Sequence, residues 1–362
     1  MQESDGKVLL LSPSLEAVSG VTTHAKMLMA SSLSRVFTFV HFQVGGEGRS
    51  ENALQEMLRM VLSPLQLSIA LVTKRPRIVH INTSLCLRAY WRDYAYLIAA
   101  RILGCRVVMQ IHGGYLPQDF FRNPLLSWLL RRFLLASHRV TVLSSEELSS
   151  YRAFDAGIKL SLVPNAIQAV GLLDAAREVN CRAPLRLVYV GRMVRSKGLF
   201  DALGAVQLLK AEGVSVKFRL AGSGPDEVEL RCEISRLGLE QEVQLLGPVF
   251  GEDKNRLWLD SDVLVFPTFH KEGLPYSILE SLAAGCVPLT TPVGAIPDVI
   301  QDGVHGLFVP WQNACAVAAA IRRLEGDRDL LLRLSLAGRR RIEENYTVER
   351  LAERLCDIYE SV

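Results

Sequence analysis

The residues that could do chemistry fall in a few short stretches. Gly191-Arg192-Met193-Val194-Arg195-Ser196-Lys197-Gly198 leaves an apolar run and enters an apolar helical pattern near Leu199. The glycines free the backbone, so the Arg192 fork and the Lys197 point charge can converge on one dianion, and a nucleoside diphosphate fits. Arg195 reads as a solvated cation. A second stretch, Glu272-Gly273-Leu274-Pro275-Tyr276-Ser277-Ile278-Leu279-Glu280, sets two carboxylates eight positions apart around a proline suited to starting a helix. The amides of Gly273, Leu274 and the first turn would then face an anion, with Glu272 beside it and Glu280 placed to accept from sugar hydroxyls. On residue types alone, both glutamates could equally be exposed helix positions. Ala221-Gly222-Ser223-Gly224-Pro225 reads as a close-approach turn, with Ser223 near a ligand at most. In Ser19-Gly20-Val21-Thr22-Thr23-His24, Gly20 opens a helix with free amides, although Ser19 acting only as a cap is the plainer reading. His112 ends the run Val108–Ile111, where a packed or capping histidine competes with a functional one.

These stretches need elements to hold them. Apolar strand candidates alternate with helical stretches: Val8–Leu11, Val36–His41, Ile78–Ile81, Val107–Ile111 and Arg139–Leu143, then Arg186–Val190, Val216–Leu220, Val243–Leu245, Val263–Phe266 and Val287–Thr290. That alternation predicts parallel βαβ units. The irregular connection from Asn165 to Pro184 predicts a boundary between two doubly wound α/β domains, at 1–167 and 168–345, with a last helix at 346–362 packing back on the first. Ligands of such sheets sit at the carboxyl ends of the strands, so an interdomain cleft is expected to hold the site.

At 362 residues, 49% hydrophobic and 22% charged, the chain suits two ordinary globular domains and excludes a disordered or stapled miniature fold. Seven cysteines, at 86, 105, 181, 232, 286, 315 and 356, form no Cys-x-x-Cys pair, and the polar N-terminus lacks the pattern of a signal peptide. A reducing cytoplasm is expected. No run of about 20 apolar residues predicts a membrane-spanning helix. From Lys74 to Ser145 eleven basic residues face two acids, a local +9 in a chain of net charge +3. An anionic surface or ligand is the expected partner of this segment, and nucleic acid is not. Within it, Phe120-Phe121-Arg122 through Leu135, with Trp128, Arg131 and Arg132, suits a helix at an anionic membrane interface; Leu125, Leu129 and Phe133 packing on the sheet is the alternative.

The set Gly191-Arg192-x4-Lys197-Gly198, Ala221-Gly-Ser-Gly-Pro225, Glu272-x7-Glu280, Gly285-Cys-Val-Pro288, Gly294–Ile300 and Asp302-Gly-x-x-Gly306 resembles the retaining GT-B glycosyltransferases of family 4, in family order. Val79–Ser84, Trp91-Arg92 and Val108–Gly114 resemble, more loosely, the branch that builds exopolysaccharides and capsules. The resemblance implies that Arg192 and Lys197 hold the donor diphosphate together with Gly20, Gly273 and Leu274. It also implies that Glu272 and His112 face the donor sugar as catalytic residues and that Glu280 binds the nucleotide ribose. Ser223 and Val249 are the candidate nucleotide-loop positions. Ser19-Gly20 stands where Gly-Gly is commoner, and Asn165-Ala166 where Asn-Gly is.

The expected activity is hexosyl transfer from a nucleoside-diphosphate sugar to a hydroxyl of a lipid-linked saccharide, with retention and in polysaccharide biosynthesis. Asp260-Ser261-Asp262 precedes a strand instead of ending one, and the cationic loop can already stabilise a leaving diphosphate. No metal or cofactor is therefore expected. The enzyme is expected in the cytoplasm, peripheral at the inner face of the membrane. An epimerase or phosphorylase on the same architecture, or a catalytically silent subunit, are the rivals.

Overall fold

In the computed structural model the described residues are 6–46, 49, 51–175, 184–270 and 273–362. They form two compact units. One comprises the chain up to Ala166 together with Val348–Val362, the other Ile167–Thr347.

The first unit is a six-stranded sheet of β1 (Lys7–Ser12), β2 (Thr38–Gln43), β3 (Ile78–Leu85), β4 (Arg106–Gly114), β5 (Arg139–Val142) and β6 (Leu160–Leu162), in the order β2-β1-β3-β4-β5-β6. All its pairs are parallel. The second has β7 (Leu185–Val190), β8 (Val216–Ala221), β9 (Val243–Gly247), β10 (Val263–Phe266), β11 (Val287–Thr290) and β12 (Leu307–Phe308), ordered β12-β11-β10-β7-β8-β9 and also parallel. Helices cover both faces, so central strands such as Val8–Leu11 and Val263–Phe266 are buried along their whole length. Two doubly wound Rossmann-like sheets result, as the alternating pattern predicts. The second strand starts two residues later than expected, because Val36 closes the 3-10 turn Ser32–Arg35.

The Val348–Ser361 helix belongs to the first unit. Its Leu351, Leu355, Ile358 and Tyr359 are buried against Val8, Leu10, Ala25 and Leu28. Each such side chain contributes roughly 1.5–3 kcal/mol by leaving water. Thr347 stays with the second unit, where it bridges Ile167. The six described cysteines form no disulfide with one another, and Cys105 and Cys286 are buried; Cys181 lies outside the described residues.

One expectation needs correction. The Ala53–Lys74 helix is 22 residues long and apolar enough, by length and composition, to cross a bilayer. Ser63, Pro64, Gln66 and Ser68 interrupt its apolar run in sequence, yet they do not break the helix. It is the crossover from β2 to β3, and its Leu67 and Leu71 join the core of the first sheet.

Candidate active site

In the second sheet the chain leaves β7 towards β8 on one side and reaches β10 on the other, so β7 and β10 flank the point where strand order reverses. Ligand crevices open at the carboxyl ends of such strands. The loops after both strands are tied together there. Phe269 N donates to the Ser196 carbonyl at 2.9 Å, and Thr268 Oγ1 donates to the same oxygen at 3.2 Å. Gly198, at φ +77, caps the Leu199–Ala211 helix with its Cα against Pro267; an added Cβ would lie 2.2 Å from the Pro267 carbonyl oxygen. Only glycine suits both the backbone angle and that approach.

The Ala221–Pro225 turn proves to be a brace. Gly191 N donates to the Ala221 carbonyl at 3.0 Å and Met193 N to the Ser223 carbonyl at 2.9 Å. A Cβ on Gly222 would stand 1.9 Å from the Gly191 oxygen, so backbone lies directly on backbone. This locks the cationic loop from one side while Pro267–Phe269 locks it from the other. Ser223 itself is exposed, and Val249, in the loop after β9, is half-buried against the core.

On this loop Arg192 is exposed, and no ion pair or side-chain hydrogen bond holds it among the described residues. Its carbonyl accepts from Tyr189 Oη at 2.7 Å. Lys197 lies in the 3-10 turn Arg195–Lys197, with Nζ 5.4 Å from the centre of the Phe266 ring. Arg195 is engaged elsewhere, paired with Glu229 and stacked 3.9 Å over Phe200. Of the three cations on this loop, Arg195 is thus the one whose guanidinium is committed to a surface pair.

Pro275 caps the helix Tyr276–Ala283, and the preceding turn is fastened by Ala295 N donating to the Gly273 carbonyl at 3.2 Å. Leu274 is buried. Glu280 is not an ordinary exposed helix residue. Its Oε1 accepts from Lys254 Nζ at 2.6 Å and its Oε2 from Trp258 Nε1 at 3.1 Å, with the carboxylate only 15% exposed. Neither Lys254 nor Trp258 stands out in the sequence; the only signal is their four-residue spacing on one face of Gly251–Leu259. A carboxylate offers about four acceptor positions, so this one can still receive ribose hydroxyls while held in place. Burial, with the Glu280 charge nearby, pushes the Tyr276 hydroxyl far above its usual range. Glu272 lies outside the described residues.

Asp262 sits at the opposite end of β10. It accepts from Arg186 N at 3.0 Å, Nε at 3.0 Å and Nη2 at 2.9 Å, and that pairing raises the arginine's pKa. Asp260 caps the Gly251–Leu259 helix. The Asp-x-Asp pattern therefore serves the strand's amino end.

In the first unit, His112 lies two residues before the end of β4, and its Nε2 is 2.8 Å from Asn82 Oδ1. Asn82 Nδ2 donates to the Leu11 carbonyl at 3.1 Å, which fixes the amide and makes Oδ1 the acceptor. His112 therefore carries its proton on Nε2 and keeps an acceptor at Nδ1. Behind it stand two buried histidines that the sequence does not announce. His24 meets His112 edge-on at 4.8 Å, and His80 is hydrogen-bonded to Tyr359. The Gln110 amide lies near both buried rings but closes a normal hydrogen bond with neither. Burial lowers His24 to about 4 and His80 to about 3, and with the neighbouring imidazoles it holds His112 well below the usual range. All three are neutral. Gly20 is the first residue of the helix Gly20–Ala30, and Ser19 Oγ accepts from Thr22 N at 3.3 Å, so capping is the contact made at that loop.

The family model described as glycosyl transferases group 1 matches residues 179–341, and the one described as glycosyltransferase family 4 matches residues 34–169. Together they span most of the chain. The chain belongs to glycosyltransferase family 4. The stretch matched in this family 4 chain by the group 1 model contains Arg192, Lys197, Ser223, Val249, Glu272 and Glu280, and the other contains Asn82 and His112 but neither Gly20 nor His24. The amylovoran biosynthesis glycosyltransferase AmsK of Erwinia amylovora is 30% identical over 263 residues, 70% of this chain and 60% of that one. The putative colanic acid biosynthesis glycosyltransferase WcaL of Salmonella typhimurium is 28% identical over 185 residues, 49% of this chain and 46% of its own. The family 4 chain thus spans about half the length of the curated relatives it matches. Anabaena HepE in complex with UDP-glucose superposes with a TM-score of 0.74 at 14% identity, covering 98% of this chain and 100% of that one. The shared fold is GT-B.

Proposed function

We propose that this family 4 glycosyltransferase moves a hexosyl group from a nucleoside-diphosphate sugar to a hydroxyl of a lipid-linked saccharide in polysaccharide biosynthesis, with retention and without a metal. The observation that carries this reading is the braced cationic loop beside the Glu280 helix at the β7/β10 switch point. Arg192 and Lys197 bind the diphosphate, and Glu280, held by Lys254 and Trp258, takes the ribose. The names of AmsK and WcaL support a polysaccharide product, and UDP-glucose in HepE supports the donor class.

In the reaction the bond between the anomeric carbon and the leaving phosphate oxygen breaks, and one from the acceptor oxygen forms on the same face. The acceptor's proton passes to the departing phosphate. The family resemblance assigns Glu272, and separately the neutral His112 of the first unit, to the donor sugar, and the cations stabilise the charge that develops on the diphosphate. Their contribution is electrostatic and positional.

Calorimetry with nucleoside diphosphates tests the donor site. Arg192→Ala and Lys197→Ala should each weaken binding by about 1.5–3 kcal/mol, the worth of a charge-assisted contact. Unchanged affinity in both would remove the diphosphate from this loop. Saturating chelator should leave turnover of a responsive donor unchanged; loss of activity restored by magnesium or manganese would overturn the metal-free reading.

A further inference from the structure

The Ala53–Lys74 helix is built the wrong way round for water. A narrow stripe of Ser63, Leu67 and Leu71 faces the sheet. The outward stripe, Leu54, Leu58, Val61, Leu65, Ile69 and Val72, repeats every three or four residues, and each of these side chains is between 48% and 71% exposed. A crossover helix in water normally shows the reverse pattern. The charges on the helix are turned aside: Arg59 pairs with Glu51 at 2.8 Å, and Glu56 with Arg88 at 3.5 Å. The outward stripe from Leu54 to Val72 is therefore neutral and apolar over about 27 Å at 1.5 Å per residue.

Its neighbours extend the same surface. The Leu87–Ile102 helix packs beside it and the Pro124–Ala136 helix beside that one. Pro124–Ala136 buries Leu130, Phe133 and Leu134 in the core, so one side of the helix expected from sequence to meet lipid is taken up by packing. It still presents Leu125 and Trp128, and Leu87–Ile102 presents Trp91. The Arg132 guanidinium lies 5.3 Å over the Trp128 ring. Between these two helices runs an apolar groove lined by Leu97, Ile98, Ile102 and Phe133, together with Arg101 and Arg132.

We infer that this three-helix face docks on an anionic lipid bilayer, with the Ala53–Lys74 helix lying in the interfacial plane. Both helix ends are committed to β2 and β3 and its inner stripe to the core, which leaves no way for it to cross. Charge complementarity selects lipid as the occupant. A neutral apolar stripe that ends at exposed Lys74 and Arg75, with exposed Arg88 and Trp91 on the adjoining helix and Trp128 and Arg132 on the next, matches acyl chains flanked by anionic headgroups. The groove puts guanidinium groups beside an apolar slot, the pairing that a phospholipid requires. The inference deepens the lipid-linked reading of the acceptor and rests on it for its purpose, although the surface argument stands on exposure and charge.

Sedimentation with vesicles of phosphatidylcholine, with and without phosphatidylglycerol, tests it on the full chain. The protein should bind the anionic vesicles at least about tenfold better, and rising salt should remove part of the binding but not all. Leu58→Gln with Val61→Gln and Leu65→Gln, all on the outward stripe, should abolish the salt-resistant part with unfolding temperature unchanged. Arg88→Glu with Arg132→Glu should abolish the salt-sensitive part. Trp91 and Trp128 should be quenched by brominated lipid. Unchanged vesicle binding in the glutamine variant overturns the inference, as does a lipid-free dimer that this variant splits while wild type ignores vesicles. Nucleotide-sugar binding measured alongside separates the two failures: vesicle binding lost with donor binding intact rejects only the docking face, and the converse rejects only the transferase reading.

Discussion

The two sheets place their polar and apolar residues in opposite ways. In the second unit, exposed Arg192 and half-buried Lys197 sit on a loop held by backbone contacts, and the large apolar side chains left exposed, such as Val228, Phe250 and Leu336, are spread over separate elements. In the first, His24, His80, Asn82 and Gln110 are buried, while leucines and valines of the Ala53–Lys74 helix stand outside. A rigid loop that shows charge to solvent suits a small anion, whose own charge replaces water. A unit that shows apolar surface needs something other than water against it. The difference teaches that one doubly wound plan can carry a charged, backbone-braced loop in one half and an exposed apolar helix in the other, the features on which the two proposals rest.

The sharpest way to break this division is at the two carboxylates. Glu272→Gln should lower turnover by about 10²–10³-fold, the usual cost of one electrostatic contact to a reacting centre, with nucleoside-diphosphate affinity kept. Glu280→Ala should instead weaken the nucleotide and spare turnover at saturating donor. Steady-state kinetics beside calorimetry reads both; identical behaviour would merge the roles.

The buried histidines give the next effect. Their folded pKa values, about 4 for His24 and about 3 for His80, lie below the ordinary 6.5. The unfolded chain therefore binds protons that the folded one refuses, and stability present above pH 6.5 is lost as pH falls towards those values. Between pH 7 and pH 5 each should cost up to roughly 2 kcal/mol. Urea unfolding across that range reads the slope, and His80→Phe should flatten it. An equal slope in the variant would assign the acid sensitivity elsewhere.

A smaller effect probes the Asn82 link. Asn82→Ala frees His112 to carry its proton on either nitrogen and should lower turnover about tenfold without touching nucleotide affinity. Asn82→Asp should stabilise the imidazolium and move the acid limb of the rate profile to higher pH. A profile that moves in neither variant would make Asn82 a packing residue.

Much of the second unit was legible in its sequence because its contacts are local. The charged loop, the proline-started helix and the glycines each act within a few residues of a strand end, so spacing alone reports them. The pattern of short apolar runs likewise determined both parallel sheets, since strands covered on two faces must be apolar throughout. Tertiary structure alone decided the rest. The Ala221–Pro225 turn became a brace only through contact with Gly191 and Met193. Lys254 and Trp258 reached Glu280 across 26 and 22 residues, and Tyr359 reached His80 across 279. Which side of the Ala53–Lys74 helix faces outward was undecided by its composition, because the helix is apolar around most of its circumference. The placement of β2 and β3 decided it, by giving the core to Leu67 and Leu71 and leaving Leu58, Val61 and Leu65 exposed.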